Sequence, residues 1–212
     1  MSTKYRYGLY LRPDFAMSRA QSELHRVLKA QYSLTTAGLF MPHATLKGFF
    51  RSAVEPAMMI EQLDQALATW QPFTVYNNGV GPFGPRSIVI GLRNMPDGTP
   101  NLALFDLQAR VWQALKPLVH PDCEFTPRDP FGLDGPNPFH PHLTLAMADL
   151  RPELQDEVLA FITEGGPVGP PQFVADTCHL FRFTAEWDGE WWHSLSWEPL
   201  HSWQVRSGGA DA

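Results

Sequence analysis

Cysteine is scarce in this chain of 212 residues, which has only Cys123 and Cys178. Two are too few for a disulfide framework and lack the close spacing of a zinc ribbon or a redox pair, so plain thiols are expected. Long apolar runs are missing as well, and no window approaches the roughly 20 residues of a membrane-crossing helix. The opening segment MSTKYRYGLYLRPDF has no basic stretch followed by an apolar run, which points to a cytoplasmic protein without a membrane partner. Positive charge is also in short supply. Sixteen Lys and Arg against 22 Asp and Glu leave a formal net charge of -6. That balance disfavours a long duplex nucleic acid as partner, because such binding needs a basic face to displace phosphate counterions. A nucleic-acid substrate would then be a short piece, an end or a nucleotide-sized molecule. Apolar residues, at 44% of the chain, are plentiful enough for a good core. The expectation is one monomeric domain over residues 1–201, followed by a flexible tail at 202–212.

Hydrophobic periodicity divides the chain into alternating elements. Residues 5–11 (YRYGLYL) read as a half-buried strand broken by Pro13-Asp14, and 15–30 as an amphipathic helix. In 39–50 (LFMPHATLKGFF), read as a strand, Leu39, Met41, His43, Thr45 and Lys47 share one parity, while Ala44 and Leu46 take the other. A helix opened by Pro56 runs to about residue 70, and strands at 73–80 and 86–92 flank a Gly/Pro break. A further helix spans 101–118. Residues 121–138, with several prolines, read as a long loop of the kind that forms lids or binding loops. In the next strand, 139–147 (FHPHLTLAM), His140, His142, Thr144 and Ala146 share parity. A helix at 152–163, a Gly/Pro linker and strands at 172–184 and 191–200 complete the pattern, with Asp188-Gly189 as the last turn.

Two stretches repeat. His43-Ala44-Thr45-Leu46 and His142-Leu143-Thr144-Leu145 each lie on a strand followed by a proline-opened helix, a Gly/Pro break and two strands, as in a duplicated fold with an approximate two-fold axis. Histidine is the side chain whose ordinary pKa allows one copy to be neutral and another protonated near pH 7. Opening a cyclic phosphate needs a base for water and an acid for the departing oxygen on the far side of phosphorus. Two histidines across a cleft supply both, and Thr45 and Thr144 add hydroxyl donors for the non-bridging oxygens. No cofactor or metal is required for this chemistry.

With these motifs the sequence resembles the two-histidine phosphoesterase superfamily, the 2'-5' RNA ligase and cyclic phosphodiesterase family. PHATLKGFF at 42–50 and FHPHLTLAM at 139–147 are similar to its first and second motifs, at a spacing that involves nearly the whole chain. The resemblance implies an α+β, bilobal duplicated fold with two antiparallel sheets around a central cleft and helices packed outside. It also implies hydrolysis of 2',3'-cyclic phosphates or 2'-5' diesters of RNA ends or small nucleotides, with His43, Thr45, His142 and Thr144 as the catalytic set.

Candidate substrate contacts are Tyr10, Arg12, Lys47, Arg128, His140, Arg182 and Phe183, which offer positive charge or a stacking surface. His140 and His142 have a zinc-compatible spacing that His120 or His179 would have to complete, but no ligand cluster of clear spacing accompanies them. The tryptophans at 187, 191, 192 and 197 read as hairpin packing. Two other functions stay open from sequence: a non-catalytic nucleotide- or RNA-binding module with the same cleft, and a zinc-dependent hydrolase.

Overall fold

The structure is a computed structural model that describes residues 5–120 and 139–205. The long loop expected at 121–138 and the end of the chain from 206 lie outside the described residues. Nine strands and four α-helices follow one another among those described: β1 (Tyr5–Leu11), α1 (Phe15–Tyr32), β2 (Ala44–Phe50), α2 (Pro56–Leu67), β3 (Phe73–Tyr76), β4 (Val80–Pro82), β5 (Ile88–Gly91), α3 (Leu102–Leu115), β6 (His142–Ala146), α4 (Gln155–Glu164), β7 (Gln172–Ala175), β8 (Thr177–Thr184) and β9 (Ser196–Gln204).

Local chemistry sets the ends of these elements. Asp14 caps α1 by accepting the Met17 amide at 2.9 Å, and the helix buries Met17, Gln21, His25 and Leu28 along one stripe before Ser33 turns left-handed. Pro56 opens α2, where a missing amide proton costs nothing. The segment before β2 differs from its sequence reading: 37–39 form a 3-10 turn, and the strand begins only at Ala44. His43 therefore sits at the mouth of the strand. At the other end, β9 continues through 202–204, which the sequence reading gave to the tail. Three ladder pairs hold these residues, with Ser202 opposite His179, Trp203 opposite Cys178 and Gln204 opposite Thr177.

Two antiparallel sheets result, and they are unequal. Seven strands form one sheet in the order β4-β5-β6-β2-β1-β8-β9, while β3 and β7 pair as a separate ribbon. The large sheet shows the duplication. The unit β1-α1-β2-α2-β3-β4 recurs as β5-α3-β6-α4-β7-β8, and the last strand of each unit pairs with the first strand of the other, β4 with β5 and β8 with β1. The halves meet at the centre, where β2 and β6 run antiparallel with Ala44 opposite Leu143.

Alternation then sorts side chains onto the two faces of the sheet. Leu9, Leu11, Ala44, Leu46, Ile88, Ile90, Leu143, Leu145, Cys178 and Leu180 join buried residues of all four helices in the main core. Tyr10, Phe181 and Phe183 belong to a second cluster on the opposite face, with Phe40, Met41, Phe49, Trp187 and Leu195 packed against it. The helices cross between halves: α1 leads from β1 to β2 but packs on β6, and α3 leads from β5 to β6 but packs on β2.

Candidate active site

The pair formed by Ala44 and Leu143 fixes the geometry of both motifs. These two side chains are almost fully buried in the main core, so their neighbours His43, Thr45, His142 and Thr144 point to the opposite face. Extending the antiparallel register by one residue each way sets His43 across from Thr144 and Thr45 across from His142.

Both rings are held in the same way. His43 Nδ1 donates to the Met41 carbonyl at 2.7 Å, and His142 Nδ1 donates to the His140 carbonyl at 2.6 Å. A carbonyl only accepts, so the proton of each neutral ring belongs on Nδ1 and the lone pair on Nε2. The ring environments differ in detail. Tyr10 stands edge-on to His43 with centroids 4.5 Å apart, and Phe40 lies at 5.8 Å. Burial among these rings pushes the His43 pKa down to about 4, against the opposing bond to Met41, and the positive charge that His142 can carry lowers it further. Burial also lowers the His142 pKa, again opposed by its carbonyl bond. Phe83 lies 4.5 Å from the His142 ring.

Tyr10 itself is locked in place. It is 3% exposed, and a Cβ built on Gly8 would come within 2.4 Å of its hydroxyl, so the glycine makes the room its ring occupies. Burial raises the phenol pKa far above 10, leaving Tyr10 neutral.

Beside His43 a cavity of about 290 Å³ opens between Tyr10, Arg12, Met41, Pro42, Phe181 and Trp197. Arg12 is steadied by the Thr177 hydroxyl at 3.1 Å, with the Asp176 carboxylate 4.0 Å away. Of the contacts expected from sequence, Tyr10 and Arg12 line this cavity and His140 lends its carbonyl to His142. Arg128 lies outside the described residues.

Three expected contacts are placed elsewhere. Lys47 is 3% exposed, with its ammonium 5.1 Å from the Trp112 ring of α3. The register of β1 against β2 jumps from Tyr10–Thr45 to Leu9–Lys47, so Leu46 is an extra residue, and this bulge reverses the parity that would have put Lys47 beside Thr45. Arg182 alternates with Phe181 and Phe183 and so faces the other way, paired with Glu198 and stacked 4.7 Å over Tyr5. Phe183 does face the aromatic cluster, but it is fully buried against Phe49 and Tyr10 and has no surface left for a ligand.

Sequence reading missed Met41, Pro42, Phe181 and Trp197 as cavity walls. Phe181 carried a usable signal in its shared parity with His179 and Phe183. Trp197, opposite Phe183 in the β8–β9 ladder, also donates its indole N–H to the Leu39 carbonyl at 2.8 Å. Among the described residues no three His, Cys, Asp or Glu side chains gather as a metal site, and no helix is long and apolar enough to cross a membrane.

His43, one residue before β2, and His142, at the start of β6, each keep the Nε2 lone pair free of the carbonyl bond, and each motif carries a threonine two residues on. The sequence profile of the 2'-5' RNA ligase superfamily matches residues 14–186, and the chain belongs to that superfamily. Solved structures share the fold. E. coli LigT complexed with NADP+ aligns over 97% of this chain and 100% of its own with a TM-score of 0.56 at 19% identity. LigT complexed with ATP gives 0.55 at 18% identity over the same shares. TT0787 of Thermus thermophilus gives 0.60 at 15% identity, over 96% of this chain and 99% of its own. No curated protein shows significant sequence similarity to the chain.

Proposed function

We propose that the protein hydrolyses a 2',3'-cyclic phosphate or a 2'-5' phosphodiester of a small nucleotide or RNA end, without a metal, with His43 as general base and His142 as general acid. The observation behind this reading is the matched pair of Nδ1–carbonyl bonds, which leaves both Nε2 atoms on the face shared with Thr45 and Thr144. His43 Nε2 takes a proton from water, whose oxygen attacks phosphorus. The ester bond opposite breaks, and the departing sugar oxygen takes the proton held by His142 Nε2. Thr45 and Thr144 donate to the non-bridging oxygens, which gain charge in the transition state.

The division of roles follows from burial. His43, enclosed by Tyr10 and Phe40, is neutral through most of the working pH range. A bound phosphate anion favours protonation of the imidazole that retains its charge more readily. The cavity on the His43 side suits the nucleobase, since its walls are largely aromatic or apolar and its volume of about 290 Å³ exceeds that of a purine ring. That LigT has been complexed with ATP and NADP+ agrees with a nucleotide ligand here.

The test is hydrolysis of 2',3'-cyclic mononucleotides, a cyclic-phosphate-ended oligoribonucleotide and 2'-5' oligoadenylate in excess chelator, by wild type, His43→Ala and His142→Ala. Loss of each general acid-base group lowers kcat by roughly 10²- to 10⁴-fold. Turnover that disappears in chelator, or survives either substitution, overturns the reading. Wild-type binding without turnover assigns the cleft to a nucleotide-binding module instead.

A further inference from the structure

Thr144 is held by an element from the other half of the molecule. Two side chains of α1, one turn apart, donate to its main-chain carbonyl: Gln21 Nε2 at 2.9 Å and His25 Nε2 at 2.9 Å. Both side chains are buried, Gln21 at 2% and His25 at 9% exposure. Beyond the helix, the amides of Thr35 and Thr36 donate to Asp149 Oδ2 at 2.6 and 2.9 Å, just past the end of β6. The strand carrying the second motif is therefore gripped at its middle and beyond its end by one helix and the turn that follows it.

The grip has a counterpart in the repeat. From Phe15, the first residue of α1, Gln21 lies six positions on and His25 ten. From Leu102, the first residue of α3, Gln108 lies six positions on and Trp112 ten. Gln108 and Trp112 are buried where α3 packs on β2, the strand of the first motif. Here, however, Gln108 Nε2 and Trp112 Nε1 have no hydrogen-bond partner among the described residues. The α1 pair bonds its strand and the α3 pair does not, although both strands carry an extra residue at the equivalent place, Leu46 in β2 and Leu145 in β6.

We infer that His25 and Gln21 are positioning residues for the second motif, which act through the Thr144 carbonyl to set where the Thr144 hydroxyl and the His142 ring stand relative to His43. A carbonyl that accepts two buried donors has its peptide plane fixed, and with it the direction of the side chain on the same residue and of the ring two residues earlier on the strand. For His25 to donate, its proton must sit on Nε2, the reverse of the tautomer in His43 and His142. The kinetic part of the inference rests on the proposed hydrolysis, but the geometric part does not.

The test compares His25→Phe, which removes the donor, with His25→Gln, which keeps an N–H at similar reach, and adds Gln21→Met as an independent removal. Imidazole nitrogen spectra of the folded variants are recorded first, because they require no turnover. In His25→Phe and Gln21→Met the His142 signals are expected to move or to show mixed tautomers, while His43 keeps its wild-type pattern and His25→Gln restores that of His142. In hydrolysis of a 2',3'-cyclic mononucleotide, kcat should fall about tenfold in the two removal variants with KM within about twofold, and His25→Gln should recover most of the loss. Unmoved His142 signals in both removal variants, equal changes in both rings, or a His25→Gln enzyme as impaired as His25→Phe overturns the inference. If wild type hydrolyses none of the esters, the functional reading fails while the spectra still decide the positioning role.

Discussion

The partly buried position of His43 among aromatic rings has a consequence for stability that can be measured without a substrate. Its pKa falls from 6.5 toward about 4 on folding because the charged ring loses water among Tyr10 and Phe40. Above pH 6.5 the ring is neutral in both folded and unfolded chains and contributes no pH dependence. Between pH 6.5 and 4 the unfolded chain takes up a proton that the folded chain refuses, so stability is lost as pH falls through this window and levels off below it. The full difference corresponds to about 3 kcal/mol, of which about 2 kcal/mol appears by pH 5, before allowance for screening by solvent in the cleft. His43→Asn removes the titration and places an amide N–H near the position of Nδ1, within reach of the Met41 carbonyl. Urea denaturation from pH 7.5 to 5, followed by tryptophan fluorescence, should show wild type losing about 1–2 kcal/mol more than the variant. Parallel stability curves for the two proteins would refute the argument that burial keeps His43 neutral.

Three other outcomes are expected. The profile of kcat/KM against pH should be bell-shaped with its optimum below 6.5, because the neutral form of His43 persists down to about 4 and burial also lowers the pKa of the acid, His142; an optimum above pH 8 would reverse the assignment of free-enzyme charge states. Gly8→Ala should displace the Tyr10 ring, lowering stability by about 1–3 kcal/mol in thermal or urea unfolding and reducing turnover as well. Arg182→Ala should leave kcat/KM within about twofold of wild type, since its exposed pair with Glu198 lies on the face away from the histidines and surface pairs contribute little; a large loss in the hydrolysis assay would place Arg182 back in the site.

The sequence carried the α+β order and the paired motifs because both depend on short-range periodicity, and the two copies of His-x-Thr-Leu corroborated one another. The structure places Ala44 against Leu143 at the junction of the halves, a contact between residues far apart in sequence that no local pattern encodes. Lys47 shows where parity fails: an extra residue at Leu46 turns the strand over, and nothing in LKGFF announces the bulge. Arg182 and Phe183 were both offered as cleft contacts although adjacent strand residues face opposite ways, an error that alternation alone could have caught. The cavity walls depend on which strands become neighbours, so Trp197 reads from sequence as hairpin packing, and only the placing of β8 between β1 and β9 brings it and Phe181 to the cavity. Gln21 and His25 sat unremarked on a helix stripe, since amphipathic spacing marks them as buried without showing that a carbonyl from the other half awaits them.

The exchange of outer strands between the two units makes the halves dependent on each other. Removing either unit strips a ladder from the one that remains, because β5 would lose its partner β4, and β1 would lose β8. A half-length chain would present bare strand edges that only a second copy of the same half could cover. The intact chain should accordingly unfold in a single step, with neither half outlasting the other and both histidines leaving their positions together.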